Sequence, residues 1–356
     1  MSEKLSVQSI FRKYHVHFVE DAFGAFSGNL NDTFFMVDRK LLALWGTRVK
    51  GALPADRTIG IEANEFDKTL DRCQEIIRSL VEKNVRKNHL LVAVGGGILQ
   101  DITAFTASIL YRGIEWHFIP TTLLAQADSC IGSKTSINLG EFKNLVGNFY
   151  PPSEILIDVR FLESLPPGEI KSGIGEILHY YLIDDNPLAE SLMARYDEFL
   201  ATPMALYPFI RESLKIKKRV IERDEFDRHE RNLFNYGHTF GHALESLSNY
   251  QINHGQAVTF GMDLANFLSV EFGHMTQRSF EKMHQVLEKN IPTLNPDEYE
   301  MGKYYEALSR DKKNVEDNLG CILTRGPGKM FKAQIPIDDR LKDLIRVFFN
   351  KKCLEN

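Results

Sequence analysis

The hydrophobic positions of the chain change their spacing near residue 166. Before this point, apolar runs of strand length, over 33–37, 89–94, 114–119 and 154–161, alternate with segments of helical spacing such as 69–83. After it, the apolar positions recur at helical spacing. Strands that alternate with helices are typical of a parallel α/β sheet. The pattern therefore predicts an α/β domain over residues 1–166 and a helical domain over residues 167–356.

Five segments of the second half have the periodicity of amphipathic helices: 169–181, 206–221, 262–268, 280–287 and 341–349. If the helix predicted over 206–221 continues beyond residue 221, one helix face carries Lys217, Asp224 and Arg231 within about 40°. A solvated charged face is the simpler interpretation of such a basic run.

A stretch from Asn235 to His242 combines polar and apolar residues in a helical pattern. On a helix, Asn235, His238 and His242 lie on one face within about 60°, and the apolar residues lie on the other side. The His-x-x-x-His spacing is compatible with a metal site, although two isolated histidines would be more simply explained as surface or core residues. A third histidine, His254, follows twelve positions after His242, which favours the metal site.

A catalytic zinc site is completed by a carboxylate and an open position. The carboxylate is Glu176 or Glu245, and the ligand pair with His254 is completed by His238 or His242. Spacing alone does not distinguish between the members of either pair. A metal bound in this way acts as a Lewis acid on an alcohol or carbonyl oxygen.

The predicted strand over 89–94 runs directly into Gly95-Gly96-Gly97, and a helix is predicted from about Asp101 to Tyr111. Glycines at such a turn let the backbone approach a pyrophosphate, and the helix N-terminus attracts its charge. Gln100 stands where the last glycine of G-x-G-x-x-G would fall. Farther along, Thr121-Thr122 would begin the helix that follows the strand over 114–119 as natural caps.

Other polar residues extend this candidate site. Asp38 ends a predicted strand, where an acid can bind a ribose hydroxyl or can simply form a turn. Lys134, Lys143 and Asn144 lie in a glycine-rich polar segment and, with Arg112, form a candidate anion site. The residues thus predict an NAD- and metal-dependent enzyme that acts on an anionic polyol.

Composition excludes several other classes of protein. The chain has 356 residues, a net charge of -5 and a pI near 6.1, which argue against a general nucleic-acid binder. The four cysteines are far apart and form no metal or disulfide motif, as in reduced cytoplasmic proteins. No signal peptide or membrane-spanning run is visible. We therefore expect a cytoplasmic protein that contacts neither nucleic acid nor membrane.

Taken in order, the motifs over about 60–325 resemble the 3-dehydroquinate synthase family and, more broadly, the sugar phosphate cyclases. These motifs are Gly95-Gly-Gly-x-x-x-Asp101, Arg112-Gly113, the segment from Pro120 to Gln126, Asp128-Ser129, Lys134-Thr135, Lys143-Asn144, Gly175-Glu176, Asn235-x-Gly-His-Thr-Phe-Gly-His242 and His254-Gly255. Each motif is common, but the series in this order and spacing is specific.

The resemblance implies a Rossmann-like NAD domain over 1–166, a helical metal- and substrate-binding domain over 167–356, a site in the cleft between them, and a homodimer. It implies zinc or cobalt on Glu176, His238 and His254. The residues implied for NAD are Asp38, Glu65, Lys68, Gly96, Gly97, Asp101, Thr121, Thr122, Lys134 and Lys143. Those implied for the sugar phosphate substrate are Arg112 from the partner subunit, Asp128, Lys134, Asn144, Lys217, Arg231, Asn235, His242 and a lysine of Asp311-Lys312-Lys313, here taken as Lys313.

The family reaction implied is that of a carbon–oxygen lyase of the shikimate pathway. A secondary alcohol of a seven-carbon sugar phosphate is oxidised by NAD, phosphate is eliminated, the hydride returns, and an intramolecular aldol step closes the ring. In this resemblance Lys217 and Arg231 hold the substrate carboxylate, and Asn235 and His242 face the phosphate.

Four residues depart from the family pattern. His179 replaces a lysine that contacts the substrate, Asp227 replaces a glutamate, Ser133 replaces a glycine of the phosphate loop, and Gln100 replaces a glycine beside the NAD pyrophosphate. These departures keep open a cyclase for another sugar phosphate, of the 2-deoxy-scyllo-inosose or sedoheptulose 7-phosphate type.

Two further alternatives belong to other classes. The first is a metal-dependent polyol dehydrogenase of the glycerol dehydrogenase type, which has no need of the anion-binding residues. The second is a non-catalytic binding protein, which the filled metal and phosphate positions disfavour.

Overall fold

The chain folds into two compact units. The computed structural model describes residues 3–140, 142–249, 251–294, 299–310 and 313–354. The first unit is Met1–Leu165 with Ile221–Glu225, and the second is Pro166–Val220 with Phe226–Asn356. The main division lies one residue before the predicted one. The inclusion of the short segment 221–225 in the first unit was not predicted.

The first unit is built on a seven-stranded sheet. Its strands are β1 (Glu3–Gln8), β2 (Lys13–Phe18), β3 (Thr33–Asp38), β4 (Thr58–Ile61), β5 (Leu90–Gly95), β6 (Glu115–Pro120) and β9 (Glu154–Ile157), whereas β7 (Ile137–Leu139) and β8 (Phe142–Val146) form a separate hairpin. The strand order is β1-β2-β9-β6-β5-β3-β4. All neighbours are parallel except β1 and β2. The carboxyl ends of the parallel strands therefore lie at one edge, where α/β folds bind ligands.

Helices connect the parallel strands. They are α1 (Ala22–Ala25), α2 (Arg39–Leu44), α3 (Gly46–Ala52), α4 (Leu70–Glu82) and α5 (Gly97–Ile109). The helix predicted over 69–83 is confirmed as α4, whose N-cap Thr69 accepts a hydrogen bond from the Arg72 backbone N–H. Helix α5 begins at Gly97, four residues earlier than predicted.

One local prediction for the first unit was wrong and one was confirmed. The strand predicted over 154–161 ends at Ile157, because Asp158 caps a 3₁₀ turn over Val159–Ser164. A helical segment follows Thr121-Thr122 as predicted, and it includes a π-helical turn, Ala125–Ser129. Thr122 caps it, since its Oγ1 accepts a hydrogen bond from the Ala125 N–H at 3.2 Å.

The second unit is mainly helical. Its elements are α6 (Pro167–Ile183), α7 (Leu188–Ala194), α8 (Tyr196–Ala201), α9 (Tyr207–Ile221), α10 (His238–Leu247), α11 (His254–Glu271), α12 (Gln277–Leu287), α13 (Met301–Ser309), α14 (Asp339–Leu354) and the hairpin β10 (Asn318–Thr324) with β11 (Met330–Pro336). Helix α11 is buried along most of its length and packs against α6, α10 and α12. An α/β domain followed by a helical domain is confirmed as the fold class, although the hairpin was not predicted.

Two predicted helix faces are not formed. Helix α9 ends at Ile221, and Arg231 lies in a 3₁₀ turn over Glu230–Asn235, so Lys217, Asp224 and Arg231 do not share a helix face. The same turn contains Asn235, which therefore precedes α10 instead of belonging to it. Within the described residues, no helix combines the length and apolar character that a bilayer crossing requires.

Candidate functional site

The second unit brings a buried carboxylate together with three histidines. Glu176 lies on α6, His238 and His242 on α10, and His254 is the first residue of α11. Glu176 Oε1 is 3.6 Å from His238 Nε2 and 3.1 Å from His254 Nε2. Ligand atoms of the three histidines lie within 4.8 Å of one another. We call these four residues the metal cluster.

Close contact between glycines in neighbouring helices creates this cluster. A Cβ at Gly175 would lie 2.0 Å from the Gly255 carbonyl oxygen, and a Cβ at Gly255 would lie 1.7 Å from that of Ser172. Glycine at both positions therefore lets α6 and α11 touch through their backbones. Glu176 directly follows Gly175 in the sequence, and His254 directly precedes Gly255. The backbone contact of the two helices therefore brings the Glu176 carboxylate close to the His254 imidazole.

A third glycine, Gly237, sets the beginning of α10. Gly237 has φ +80°, a conformation that side chains rarely adopt, and a Cβ there would lie 2.7 Å from the Val258 carbonyl oxygen. The turn at Gly237 starts the helix at His238. The first histidine of the helix thus faces the ligand atoms supplied by α6 and α11.

The cluster fits a divalent metal. Four-coordinate zinc with bonds of about 2.0–2.1 Å holds its ligand atoms about 3.3 Å apart, close to the two distances from Glu176 Oε1. Glu176 is only 2% exposed, and among the described residues its Oε1 faces the Nε2 atoms of His238 and His254 without a well-formed hydrogen bond to either. A buried carboxylate is costly unless a positive or hydrogen-bonding group pairs with it. When both imidazoles are neutral, a cation among these ligand atoms would supply the positive charge.

Neighbouring groups orient the histidines. The Nδ1 of His254 is 3.0 Å from Glu245 Oε2, so the ring donates to this carboxylate and turns Nε2 toward Glu176. The Nδ1 of His238 is 3.2 Å from the Tyr236 carbonyl oxygen. Metal-binding histidines usually donate their second N–H in this way. The geometry therefore favours Glu176 as a ligand and Glu245 as the residue that orients His254.

The two histidines have opposite pKa shifts. Burial lowers the pKa of His238 to about 4, against the opposing effect of Glu176. Burial also acts to lower the pKa of His254, but the carboxylates of Glu245 and Glu176 outweigh it and raise this pKa well above its usual value. Since only a neutral imidazole nitrogen binds a metal, metal binding at His254 would release a proton.

Predicted substrate residues lie beside the cluster. Lys313 Nζ donates to Thr239 Oγ1 at 2.8 Å and to Asn235 Oδ1 at 3.4 Å. Two of the residues that the resemblance implies, Lys313 and Asn235, are therefore neighbours. Lys217 on α9 and Arg231 are buried, each 7% exposed. Thr239 was not predicted, because a lone threonine between two glycines and histidines has no distinguishing pattern.

The structure also describes two other residues singled out in the sequence, His242 and Asp227. His242 is the exposed member of the metal cluster. Asp227 has a positive φ of 62°. Asp311 and Lys312, the other members of the predicted Asp-Lys-Lys motif, lie outside the described residues.

The first unit contains the glycine turn that the sequence predicts. Strand β5 ends at Gly95 and α5 starts two residues later, with Gly96 as its N-cap. A Cβ at Gly96 would lie 3.0 Å from Thr122 Cγ2, and one at Gly97 would lie 3.4 Å from Ser129 Oγ. The glycines thus leave free a space at a helix N-terminus that side chains would fill. A pyrophosphate fits such a space.

Four of the residues implied for NAD and substrate form one polar network in this unit. Lys68 Nζ is 2.6 Å from Asp101 Oδ2 and donates to Asn144 Oδ1 at 2.6 Å. Asn138 Nδ2 donates to Glu65 Oε1 at 2.8 Å, and Asn138 Oδ1 accepts from the Asn144 N–H. Burial raises the pKa of Asp101, and Lys68 partly offsets this effect. Asn138 was missed because nothing distinguishes it from other loop asparagines.

The remaining predicted residues of the first unit occupy strand ends and loops. Asp38 ends β3 and caps α2, and burial raises the pKa of its carboxyl group. Thr121 is buried after β6, and its N–H donates to the Gly95 carbonyl. Asp128 lies in the π-helical turn. The three cations of the candidate anion site are exposed: Arg112, Lys134 and Lys143.

Comparisons with known proteins agree with these observations. Residues 58–172 match the family model described as 3-dehydroquinate synthase N-terminal, and residues 173–314 match the one described as 3-dehydroquinate synthase C-terminal. The 3-dehydroquinate synthase of Dictyoglomus turgidum is 36% identical over 299 residues, 83% of this chain and 83% of that protein. That of Helicobacter pylori is 36% identical over 290 residues, 81% of this chain and 83% of that protein.

A solved structure has the same fold over nearly the whole chain. It is 2-deoxy-scyllo-inosose synthase complexed with carbaglucose-6-phosphate, NAD+ and Co2+. Its sequence is 25% identical, its TM-score is 0.85, and the match covers 97% of this chain and 100% of that one.

Proposed function

Because the chain belongs to the 3-dehydroquinate synthase family, we propose that it is an NAD- and metal-dependent cyclase that releases phosphate from a seven-carbon sugar phosphate. The enzyme class predicted from the sequence, a phosphate-eliminating carbon–oxygen lyase, is confirmed by this family. The observation that carries the proposal is the metal cluster, in which α6, α10 and α11 present Glu176, His238 and His254 to one point.

The proposal assigns cofactors to both units. Glu176, His238 and His254 would hold a divalent cation, zinc or cobalt, and the glycine turn of β5 and α5 would hold the NAD pyrophosphate. When bound, NAD supplies a hydride acceptor that later returns the hydride, and the cation supplies a Lewis acid. A solved relative of the same fold carries NAD+ and Co2+, which supports this assignment.

The chain's own residues would bind and orient the substrate. Lys217 and Arg231 would pair with a carboxylate, while Asn235 and His242 would face the phosphate. Each of these groups holds one end of a flexible sugar. Holding a single conformer supplies much of the rate of an intramolecular ring closure. Lys313, which donates to Asn235 and Thr239, would position the polar groups beside the metal cluster.

A phosphate-release assay tests the proposal. Purified protein with NAD and zinc or cobalt is incubated with 3-deoxy-arabino-heptulosonate 7-phosphate, and phosphate, NADH and the cyclic product are measured. We expect phosphate without net NADH. Accumulation of NADH with no phosphate would instead indicate the polyol dehydrogenase. Absence of both reactions with this substrate, with sedoheptulose 7-phosphate and with glucose 6-phosphate would favour the binding protein.

A pair of lysine variants tests whether Lys217 binds the substrate carboxylate. Lys217→Met should raise the KM for this substrate by about 10–100-fold, the loss expected from a charged hydrogen bond. Lys218→Met changes the adjacent residue of α9, about 100° around the helix, and should leave KM within about twofold. Equal effects of the two variants would contradict the assignment of Lys217.

A second candidate is a cyclase for a sugar phosphate that lacks the carboxylate. Two observations favour it: His179 stands where the family has lysine, and the 2-deoxy-scyllo-inosose synthase structure, with carbaglucose-6-phosphate bound, has the same fold. Sedoheptulose 7-phosphate and glucose 6-phosphate in the same assay decide between the candidates. Phosphate release from either one alone would move the assignment to this second activity.

Several finer predictions stay predictions. They are a homodimer in which Arg112 reaches the partner's site, zinc as the native metal, a place in the shikimate pathway and a cytoplasmic location. Sedimentation velocity measures the first of these, and metal analysis of protein purified without added metal measures the second.

A further inference from the structure

Gln100, which stands where the family resemblance implies a glycine, makes a reciprocal contact with Ser129. Its Nε2 donates to the Ser129 carbonyl oxygen at 2.7 Å, and Ser129 Oγ donates to its Oε1 at 2.7 Å. Gln100 is 6% exposed. Both polar atoms of the amide are therefore satisfied by one residue, which sets the orientation of the amide group. We call this pair of hydrogen bonds the Gln100–Ser129 clamp.

The two ends of the clamp belong to two different binding elements. Gln100 lies in the first turn of α5, directly after the glycine turn, and its backbone N–H donates to the Gly96 carbonyl. Ser129 is the last residue of the π-helical turn Ala125–Ser129, which carries Asp128. π-helical turns are rare and occur frequently at functional sites.

Ser129 also borders the space expected to hold the pyrophosphate. A Cβ at Gly97 would lie 3.4 Å from Ser129 Oγ. A displacement of Ser129 would therefore change the wall of this space and the position of Asp128 together. A glycine at position 100 has no side chain with which to hold Ser129.

We propose that Gln100 is a positioning residue that couples the NAD-binding glycine turn to Asp128 through Ser129. The inference rests on the proposed function, because it takes the glycine turn as the NAD site and Asp128 as a substrate residue. The chain thereby replaces a flexible glycine with a side chain that keeps the π-helical turn in one conformation against α5. NAD and the sugar phosphate then bind to a connected pair of elements.

Two variants remove the clamp from opposite ends. Gln100→Gly restores the family residue and removes both hydrogen bonds. Ser129→Ala removes only the hydroxyl donor, and Ser129→Thr retains it. Gln74→Gly is the matched control, since Gln74 is an exposed residue of α4, a helix of the same 13-residue length as α5. It carries the same helix penalty without touching the clamp.

The readouts are the Kd for NAD by calorimetry, the KM and kcat of phosphate release, and hydrogen exchange of residues 125–129. Gln100→Gly should raise the Kd for NAD and the KM for the sugar phosphate by about tenfold each, the loss expected from two neutral hydrogen bonds. Hydrogen exchange of the π-helical turn should accelerate by a similar factor. Ser129→Ala should show a smaller change of the same kind, and Ser129→Thr should restore both constants.

Three results would overturn the proposal. One is that Gln100→Gly leaves Kd and KM within twofold of the Gln74→Gly control. Another is that only the melting temperature falls, equally in both glycine variants. If Gln100→Gly does not fold, identical constants for Ser129→Ala and Ser129→Thr would overturn it. A wild-type protein that binds no NAD or releases no phosphate would instead contradict the proposed function, while the hydrogen-exchange comparison would still test the clamp.

Discussion

The metal cluster of the second unit and the glycine turn of the first unit are built from different groups of the chain. The metal cluster consists of side chains from three helices, and their ligand atoms meet because the helix backbones touch at Gly175 and Gly255. The glycine turn offers backbone N–H groups at a helix N-terminus that directly follows a strand. The first depends on tertiary packing, whereas the second is formed by adjacent residues of the sequence.

Because of this difference, we expect substitutions in the two units to have effects of different size. Side chains that meet across helices move when a helix moves, and packed interiors transmit such strain. In the first unit, the ion pair of Lys68 and Asp101 is partly open to solvent, since Asp101 is 22% exposed, and solvent compensates part of its loss. We therefore expect a single methyl group in the second unit to have a larger effect than a lost ion pair in the first.

The largest effect is expected from Gly175→Ala. The added Cβ would lie 2.0 Å from the Gly255 carbonyl oxygen, so α6 and α11 must separate. We expect the free energy of unfolding to fall by about 3 kcal/mol, as in overpacked cores. Phosphate release should fall by about 100-fold, because a ligand displaced by about 1 Å loses its alignment. Chemical denaturation and the phosphate assay measure these changes.

Gly302→Ala is the matched control for this prediction. Gly302 lies in α13, and a Cβ there meets no atom within 4 Å. Replacing an exposed helical glycine with alanine stabilises a protein by up to about 1 kcal/mol. A Gly175→Ala protein as stable and as active as the Gly302→Ala protein would show that the helix contact does not hold the metal cluster together.

The next prediction concerns metal binding and turnover, not the free energy of unfolding, and it divides the roles of the two histidines of α10. His238, whose Nε2 is 3.6 Å from Glu176 Oε1, should be a ligand. His238→Ala should therefore lower zinc affinity by more than about 100-fold, beyond the loss expected when a group that only orients a ligand is removed. His242→Ala should retain the metal and lose turnover. Competition with a metal chelator measures affinity, and the phosphate assay measures turnover. Equal metal loss in both variants would refute this division of roles.

In both the glycine turn and the metal cluster, local sequence patterns predicted those features that are formed by residues adjacent in the sequence. The strand before Gly95, the helix after it and the histidine spacing of α10 can be read from hydrophobic periodicity and turn chemistry. The choice between Glu176 and Glu245 could not be made in this way. Both are carboxylates near histidines in sequence, and only the packing of the helices shows that Glu245 contacts the Nδ1 side of His254.

Other features depended on contacts between distant residues. Asn138 joins the first-unit network through Glu65, 73 residues away, and Gln100 contacts Ser129, 29 residues away. The sequence distinguishes Gln100 only by its departure from the G-x-G-x-x-G pattern, and it gives no sign of the contact with Ser129. The helix predicted over 206–221 is confirmed as α9, which ends at Ile221. Its conditional extension to Arg231 is not formed, although the charged residues beyond Ile221 continue a helical spacing.

The smallest effect is expected in the first unit, from Lys68→Met. Lys68 is 2.6 Å from Asp101 Oδ2, and burial already raises the pKa of Asp101 against the opposing charge of Lys68. Without the lysine, the effect of burial is opposed chiefly by the backbone hydrogen bond from Ser136, and this pKa rises further. The folded state then binds a proton more tightly than the unfolded state, so stability falls as pH rises above the ordinary pKa of an aspartate.

The loss of stability in Lys68→Met should therefore be small near pH 4 and reach about 2 kcal/mol at pH 7, below the cost of breaking a fully buried pair because Asp101 is 22% exposed. Urea denaturation at the two pH values measures it, with Lys87→Met, an exposed lysine, as the control that should show no pH dependence. If the loss is the same at both pH values, the pair with Asp101 is not its cause. If the loss of stability in Lys68→Met exceeds that in Gly175→Ala, the first unit is the more sensitive region, contrary to our expectation.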